Sequence, residues 1–314
     1  MKIFISGGCG QVGSLTADLF LARGDEVLAV DNFATGRRLH LPDQHKNLTF
    51  VEGHIADKEL MYKLIGDFKP DVIIHTAVAY KDPDDWAEDA LTNTTGGAVL
   101  IRAAMEFNVG RFIYFQTALM YGLHPQEQPI TLSHPHFPGN SSYSISKTPT
   151  EYYLELSGLD FVTFRLANVV GPRNVSGPLP IFYKRLKDGK KCFVTEARRD
   201  FVFGNDLARA VVKASDGLGS GPYHFSSGKD VAIIELYDEI IKALNIEYIE
   251  PEVRPLGEDD ASSILLDPSK TIQDFGDLGI TPLNELVAAA IAFYDEHGAE
   301  GGYTHLKHDE KKVN

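Results

Sequence analysis

Cysteine is scarce in this chain of 314 residues: Cys9 and Cys192 stand alone. No CxxC and no ladder of spacings occurs, which argues against a disulfide framework and a zinc site and fits a reducing compartment. Long apolar runs are missing too. No stretch approaches the roughly 18 apolar residues of a membrane span, and MKIFISGG stops at glycine well short of a signal peptide, so a cytoplasmic protein with no membrane partner is expected. Basic residues are outnumbered, 30 Lys and Arg against 44 Asp and Glu, for a formal net charge of −14. That balance speaks against nucleic acid and anionic membranes as partners, and any anionic ligand would need a local group of Arg or Lys. Metal-ligand spacing is lacking as well. His134 and His136 sit in a proline-rich loop without acidic or cysteine neighbours, and His305 and His308 belong to the polar end GGYTHLKHDEKKVN; no metal is assigned.

What the chain does have is an ordinary globular composition, 43% hydrophobic and 24% charged, in a marked rhythm. KIFIS, EVLAV, LTFVEG, DVIIHTA, RFIYFQT and FVTFRLAN read as strands, separated by the helical patterns QVGSLTADLFLARG, DKELMYKLIGDF, DWAEDALTNTTGGAVLIRAAMEFN and SSYSISKTPTEYYLEL. Strands apolar on both faces and alternating with helices predict an α/β fold, a doubly wound parallel sheet covered on both sides. After about Gly171 glycine and proline punctuation takes over, with helical patterns at PIFYKRLKDG, NDLARAVVKASDG, AIIELYDEIIKALN and PLNELVAAAIAFYDEHG. The expected organisation is a dinucleotide-binding domain over 1–170 with a returning segment near 195–230. A smaller interleaved substrate lobe follows over 171–298, then a polar tail over 299–314.

The stretch SGGCGQVGS follows the first strand and opens the first helix, the context in which a glycine pattern carries meaning. Gly8, Gly10 and Gly13 spell GxGxxG, while Gly7, Gly10 and Gly13 spell GxxGxxG. Either spacing lets the backbone approach a pyrophosphate and aims a helix N-terminus at it; the plainer alternative is a tight strand-to-helix turn. The second strand ends in Asp31, where a carboxylate would accept the adenosine ribose hydroxyls and repel a 2′-phosphate, favouring NAD over NADP. In SSYSISK, Tyr143 and Lys147 are four residues apart and share one helix face. A phenol serving as base near neutral pH must drop roughly 3 units from its usual value of about 10, and a neighbouring cation is one way to achieve that.

Together GGCGQVG, the Asp31 strand end, YSISK and RDFVFGNDLARAV resemble the extended short-chain dehydrogenase/reductase family, in its nucleotide-sugar epimerase/dehydratase branch, from Met1 to about Tyr294. Within that branch the chain looks most like UDP-sugar 4-epimerases of bacterial surface-polysaccharide pathways. The resemblance implies a catalytic set of Thr117, Tyr143 and Lys147. It implies an NAD site made by Gly7, Gly10, Gln11, Val12 and Gly13, by Asp31, Asn32 and Phe33, by Ile55 on the adenine, by Thr76 and Ala77 of HTAVA, and by Asn93, with Tyr143 and Lys147 also touching the cofactor. For a UDP-sugar substrate it implies Tyr80 and Lys81 beside the sugar and Asn168, Arg199 and Arg254 at the diphosphate, where guanidinium forks suit phosphate oxygens. A homodimer built from the DWAEDALTN and SSYSISKTP helices is implied as well.

The chain departs from the family at His54, where many members carry an adenine-binding Asp, at Val78 in place of Ala or Gly, and at Gly204 in place of a β-branched residue. Pro149 disfavours helical geometry at Thr148, so a kink near Lys147 is expected. The branch's 4,6-dehydratases follow their catalytic Thr with an acid and a base; here Ala118 and Leu119 follow Thr117. The reading is therefore C4 epimerisation of a UDP-hexose derivative, acetamido or uronic substituents being compatible. A dehydratase or one-way keto-sugar reductase of the same fold, and a non-catalytic dinucleotide sensor, are the alternatives.

Overall fold

A computed structural model of the chain describes residues 1–139, 141–257 and 260–299. In chain order its strands are β1 (Lys2–Ser6), β2 (Glu26–Asp31), β3 (Leu48–Glu52), β4 (Val72–His75), β5 (Arg111–Thr117), β6 (Phe161–Leu166), β7 (Asn168–Val170), β8 (Phe193–Thr195), β9 (Arg198–Arg199), β10 (Phe201–Phe203), β11 (Gly221–Phe225), β12 (Val231–Ala232), β13 (Glu252–Arg254) and β14 (Ser263–Ile264). Seven of them form the central sheet in the order β11-β6-β5-β4-β1-β2-β3, parallel throughout. The chain winds outward from β1 to β3 and then returns to β4 on the other side of β1. That reversal opens a crevice at the carboxyl ends of β1 and β4, where open α/β sheets bind ligands.

The alternation inside β1 shows why both faces are covered. Ile3 and Ile5 join one core with Ala17 and Phe20 of α1 (Gln11–Arg23) and with Val211 of a later helix. Phe4, between them, faces the opposite core with Met61 and Ile65 of α2 (Lys58–Phe68). The pattern read as one helix over DWAEDALTNTTGGAVLIRAAMEFN is divided into α3 (Trp86–Asp89), a π-helical stretch Ala90–Gly96 and α4 (Gly97–Glu106). The wide turn arises because the Asn93 carbonyl accepts from the Thr150 hydroxyl at 2.6 Å, and Gly97 lies so close to Thr150 that a Cβ there would sit 2.4 Å from its Oγ1.

Helix α5 (Ser142–Ser157) begins at Ser141, whose hydroxyl accepts from the Ser144 amide at 3.2 Å. The helix runs unbroken through Pro149. Neighbouring elements hold it in the turn before the proline: Thr94 Oγ1 donates to the Ser146 carbonyl at 2.8 Å, and Tyr114 Oη and Gln116 Nε2 donate to that of Lys147 at 2.9 and 3.2 Å. Lys147 is thus kept buried in place rather than displaced.

Beyond β6 the chain builds α6 (Pro178–Lys187), α7 (Gly204–Ser215), α8 (Ile233–Leu244), α9 (Ser269–Phe275) and α10 (Leu283–His297). Helix α7 returns to lie against α1. Gly204 makes that approach possible, since a Cβ there would meet Leu15 Cδ1 at 2.8 Å. Strand β11 then closes the edge of the main sheet beside β6. Helices α6, α8 and α10 share a second core around Leu179, Leu236 and Ile291, and small sheets of two or three strands complete this lobe. Among the described residues no helix is long and apolar enough to cross a membrane. His305, His308 and nearly all of the polar tail lie outside the described residues.

Candidate active site

A cleft of about 1450 Å³ runs from the carboxyl ends of β1 and β2, past α5, into the second lobe. Its floor is the glycine loop. Gly7 takes a left-handed φ of +71°, and a Cβ on it would lie 2.6 Å from the Ala77 amide nitrogen, so only glycine fits. A Cβ on Gly13 would meet the Gly7 carbonyl oxygen at 2.3 Å. Gly8 instead backs onto Ala29 of β2. The cradle is therefore the Gly7, Gly10 and Gly13 reading, with Gly10 standing at the N-terminus of α1 and no side chain capping it. Gly7, Gly10, Gln11 and Val12 line the cleft, while Gly13 supports it from behind.

Asp31 lies beside this loop, its carboxylate accepting from the Cys9 and Phe33 amides at 2.9 and 2.8 Å. Burial lifts its pKa above the ordinary value, with the backbone N–H groups of Phe33, Cys9, Asn32 and Gly10 pulling against that rise. Asn32 lines the cleft too, but Phe33 does not: its ring packs against Phe50 at 5.5 Å and its contribution is the amide it offers to Asp31. Ile55, Thr76 and Ala77 line the cleft as well. His54, at the position of the expected adenine-binding acid, reaches Glu88 Oε1 at 3.2 Å and Thr92 Oγ1 at 3.0 Å across the same rim. Asn93 stands one layer back. Its amide group clamps the Ala79 backbone at 2.8 and 3.0 Å and donates to Ser146 Oγ at 3.0 Å, tying the loop after β4 to α5.

The middle of the cleft is walled by Thr117 at the end of β5 and by Tyr143 and Lys147 on α5. The Thr117 and Tyr143 side chains are hydrogen-bonded; burial nevertheless pushes the phenol well above its usual range, with Tyr80 and Asp89 adding to the rise. Burial brings Lys147 itself down to about 7, against the pull of Glu151. Its Nζ lies 4.3 Å from the centre of the Tyr114 ring, a cation–π contact. Ala118 and Leu119 present no acid or base beside Thr117.

Tyr80, Lys81, Asn168, Arg199 and Arg254 all line the cleft. Arg199 donates to Asp260 and, at 2.8 Å, to the Ala261 carbonyl. The exposed Arg254 is paired to Glu252 at 2.9 Å and lies over the Phe193 ring, 4.1 Å from its centre. Sequence reasoning missed Gly36, where a Cβ would lie 2.8 Å from the Asp31 carboxylate, as well as Lys184 and Arg185 on α6. The two cations in KRLKDG were the available signal. Among the described residues no group of three metal-ligating side chains forms.

A parallel sheet with a glycine cradle and strand-end carboxylate at its switch point, facing a Thr, Tyr and Lys wall, defines a dinucleotide-dependent enzyme acting on a hydroxyl-bearing substrate. Residues 3–225 match the model of the NAD dependent epimerase/dehydratase family, and the chain belongs to that family, whose cofactor is NAD. A UDP-glucose 4-epimerase of Mycolicibacterium smegmatis is 30% identical over 94% of this chain and 98% of its own. Among solved structures, the Bordetella bronchiseptica enzyme WbmH in complex with NAD+ superposes with a TM-score of 0.93 at 66% identity, covering 95% of this chain and 99% of that one. WbmG of the same organism, solved with NAD and UDP, gives 0.88 at 41% identity over 97% and 98%.

Proposed function

We propose that this protein is an NAD-dependent UDP-sugar 4-epimerase, on the strength of one observation: Tyr143, Thr117 and Lys147 meet in the cleft, and the two positions after Thr117 are apolar. NAD, when bound, supplies a reversible acceptor for the C4 hydride. The residues supply the rest. Thr117, hydrogen-bonded to Tyr143, orients the 4-hydroxyl, and Tyr143 takes its proton as general base and later returns it. Lys147 holds the nicotinamide ribose and, as a cation, favours the phenolate. Gly7 and Gly10 let the backbone and the α1 N-terminus face the pyrophosphate, and Asp31 accepts the ribose hydroxyls. Arg199, Arg254 and Asn168 hold the substrate diphosphate, and Tyr80 and Lys81 face the sugar. Elimination of water would need an acid and a base that Ala118 and Leu119 cannot provide. With elimination unsupported, the groups present suit a 4-keto sugar that would turn over and take the same hydride back on its other face.

The role extends to a bacterial surface-polysaccharide precursor in the cytoplasm, with α3 to α5 as the homodimer face; exposed Leu91, Ile145, Tyr153 and Leu156 on these helices support that contact. The decisive experiment incubates the protein with NAD and a panel of UDP-sugars, acetamido and uronic members included, in heavy water and follows them by NMR. The expected outcome is the 4-epimer with hydrogen kept at C4 and C5. A 4-keto-6-deoxy product carrying deuterium at C5 would overturn the proposal in favour of a dehydratase.

A further inference from the structure

Three ionisable side chains recur at every fourth residue along one face of α5: Tyr143, Lys147 and Glu151. Glu151 is fully buried and lies outside the cleft. Its Oε1 accepts from Arg165 Nε at 3.0 Å and Nη2 at 2.7 Å, and burial raises its pKa against the pull of Arg165 and Gln116. Taking both charges out of water is costly, and a neutral residue of similar shape would spare the fold a buried ion pair. The pair needs a function.

Its surroundings point to one. Arg165 Nη1 donates to Tyr121 Oη at 2.5 Å, and Tyr121 pairs at 2.6 Å with His224 Nε2. His224 Nδ1 reaches the Asp267 carbonyl at 3.0 Å, which makes Nδ1 the protonated nitrogen and Nε2 the acceptor of the Tyr121 proton. Arg165, Tyr121 and His224 are all buried. This chain of bonds pins Arg165, and Arg165 pins the carboxylate one turn from Lys147. The other groups facing Lys147 offer no negative charge: Tyr114 and Gln116 of β5 are neutral, and His75 of β4, bonded to Ser6 Oγ at 2.9 Å, is kept neutral by burial.

We propose that Glu151 is a positioning residue for the Tyr143 and Lys147 pair: its buried carboxylate, clamped by Arg165, keeps Lys147 an ammonium where the phenol must release its proton. The Arg165–Tyr121–His224 relay keeps the clamp rigid. This role rests on the reading of Lys147 as the cation beside Tyr143, and its test does not depend on which sugar is turned over.

The experiment is an NMR titration of the NAD-saturated protein carrying ¹³Cε-lysine, with the Lys147 resonance assigned as the one missing from Lys147→Met. In Glu151→Gln the Lys147 midpoint is expected about one pH unit or more below that of the unaltered protein, while Glu151→Asp, which keeps the charge, restores most of the shift. Glu151→Gln/Arg165→Gln removes both charges without stranding the guanidinium, so it carries the test if the single variant does not fold; a fall in the midpoint is expected there too. An unmoved Lys147 midpoint in whichever of the variants lacking the Glu151 carboxylate, Glu151→Gln or Glu151→Gln/Arg165→Gln, folds would overturn the proposal. Turnover of the UDP-sugar panel in parallel separates the two readings: no epimerisation of any member by unaltered protein counts against the 4-epimerase, while the midpoint alone judges Glu151.

Discussion

The two walls of the cleft are built differently. On the cofactor side each working group is set by backbone that cannot move far: a glycine whose missing Cβ lies 2.3 Å from a carbonyl oxygen, a carboxylate held by amides, and a lysine inside an unbroken helix. On the wall proposed for the substrate, Arg199 and Arg254 stand on strands of two and three residues and are held by carboxylates, Arg254 in the open. The first wall suits a cofactor that stays through many turnovers. The second suits a substrate that must enter, turn over and leave, since ion pairs near water exchange partners at little cost.

The largest effect expected is on the rigid wall. Tyr143→Phe removes the proton acceptor and should lower turnover by about 10²–10⁴-fold with NAD still bound; assaying both on one preparation checks it, and retained turnover would dissolve the distinction between chemistry and binding. Next comes mild acid. Burial holds His40 and His224 near about 4, and His75 lower, to about 3. Unfolded, each would take a proton near pH 6.5, so between about 6.5 and 4 the unfolded chain binds protons the folded one refuses. Stability is thus lost as pH falls through that window, by up to roughly 3 kcal/mol per histidine, and melting temperatures from pH 7 down to 4 would show it.

Gly13→Ala should cost about 1–3 kcal/mol of stability by overpacking and weaken NAD binding, as denaturant titration with and without cofactor would measure. The substrate wall should give smaller changes. Arg199→Leu is expected to weaken UDP binding about 10-fold or more, the scale of a hydrogen bond to a charged group. Arg254→Leu, at an exposed site, should weaken it only about 2–5-fold. Calorimetry with UDP orders the two, and a larger effect at Arg254 would break the comparison.

Legibility follows the same divide. The alternation of apolar strands with helices, the spacing of Gly7, Gly10 and Gly13, the strand end at Asp31 and the i, i+4 pair on α5 are local patterns. Each reports its own geometry through the periods of strand and helix. Local patterns did not show what surrounds α5 at Pro149: the Ser146 and Lys147 carbonyls receive donors from Thr94, Tyr114 and Gln116, elsewhere in the chain. They failed again at the π-helical stretch Ala90–Gly96, widened by a hydroxyl from α5. Strand β13 and helix α9 also went unread in the sequence, being too short to show a period.

By itself, then, the sequence determined the α/β class, the glycine spacing that opens α1 and the shared face of Tyr143 and Lys147, because these depend on residues near one another in the chain. Only the tertiary structure decided that Gly13 and Asn93 support the cleft from behind, that Phe33 turns away from it, and that Glu151 stands behind Lys147 held by a relay reaching Asp267. Those facts depend on contacts between residues up to more than a hundred positions apart, such as Tyr121 with His224, and no local period encodes them.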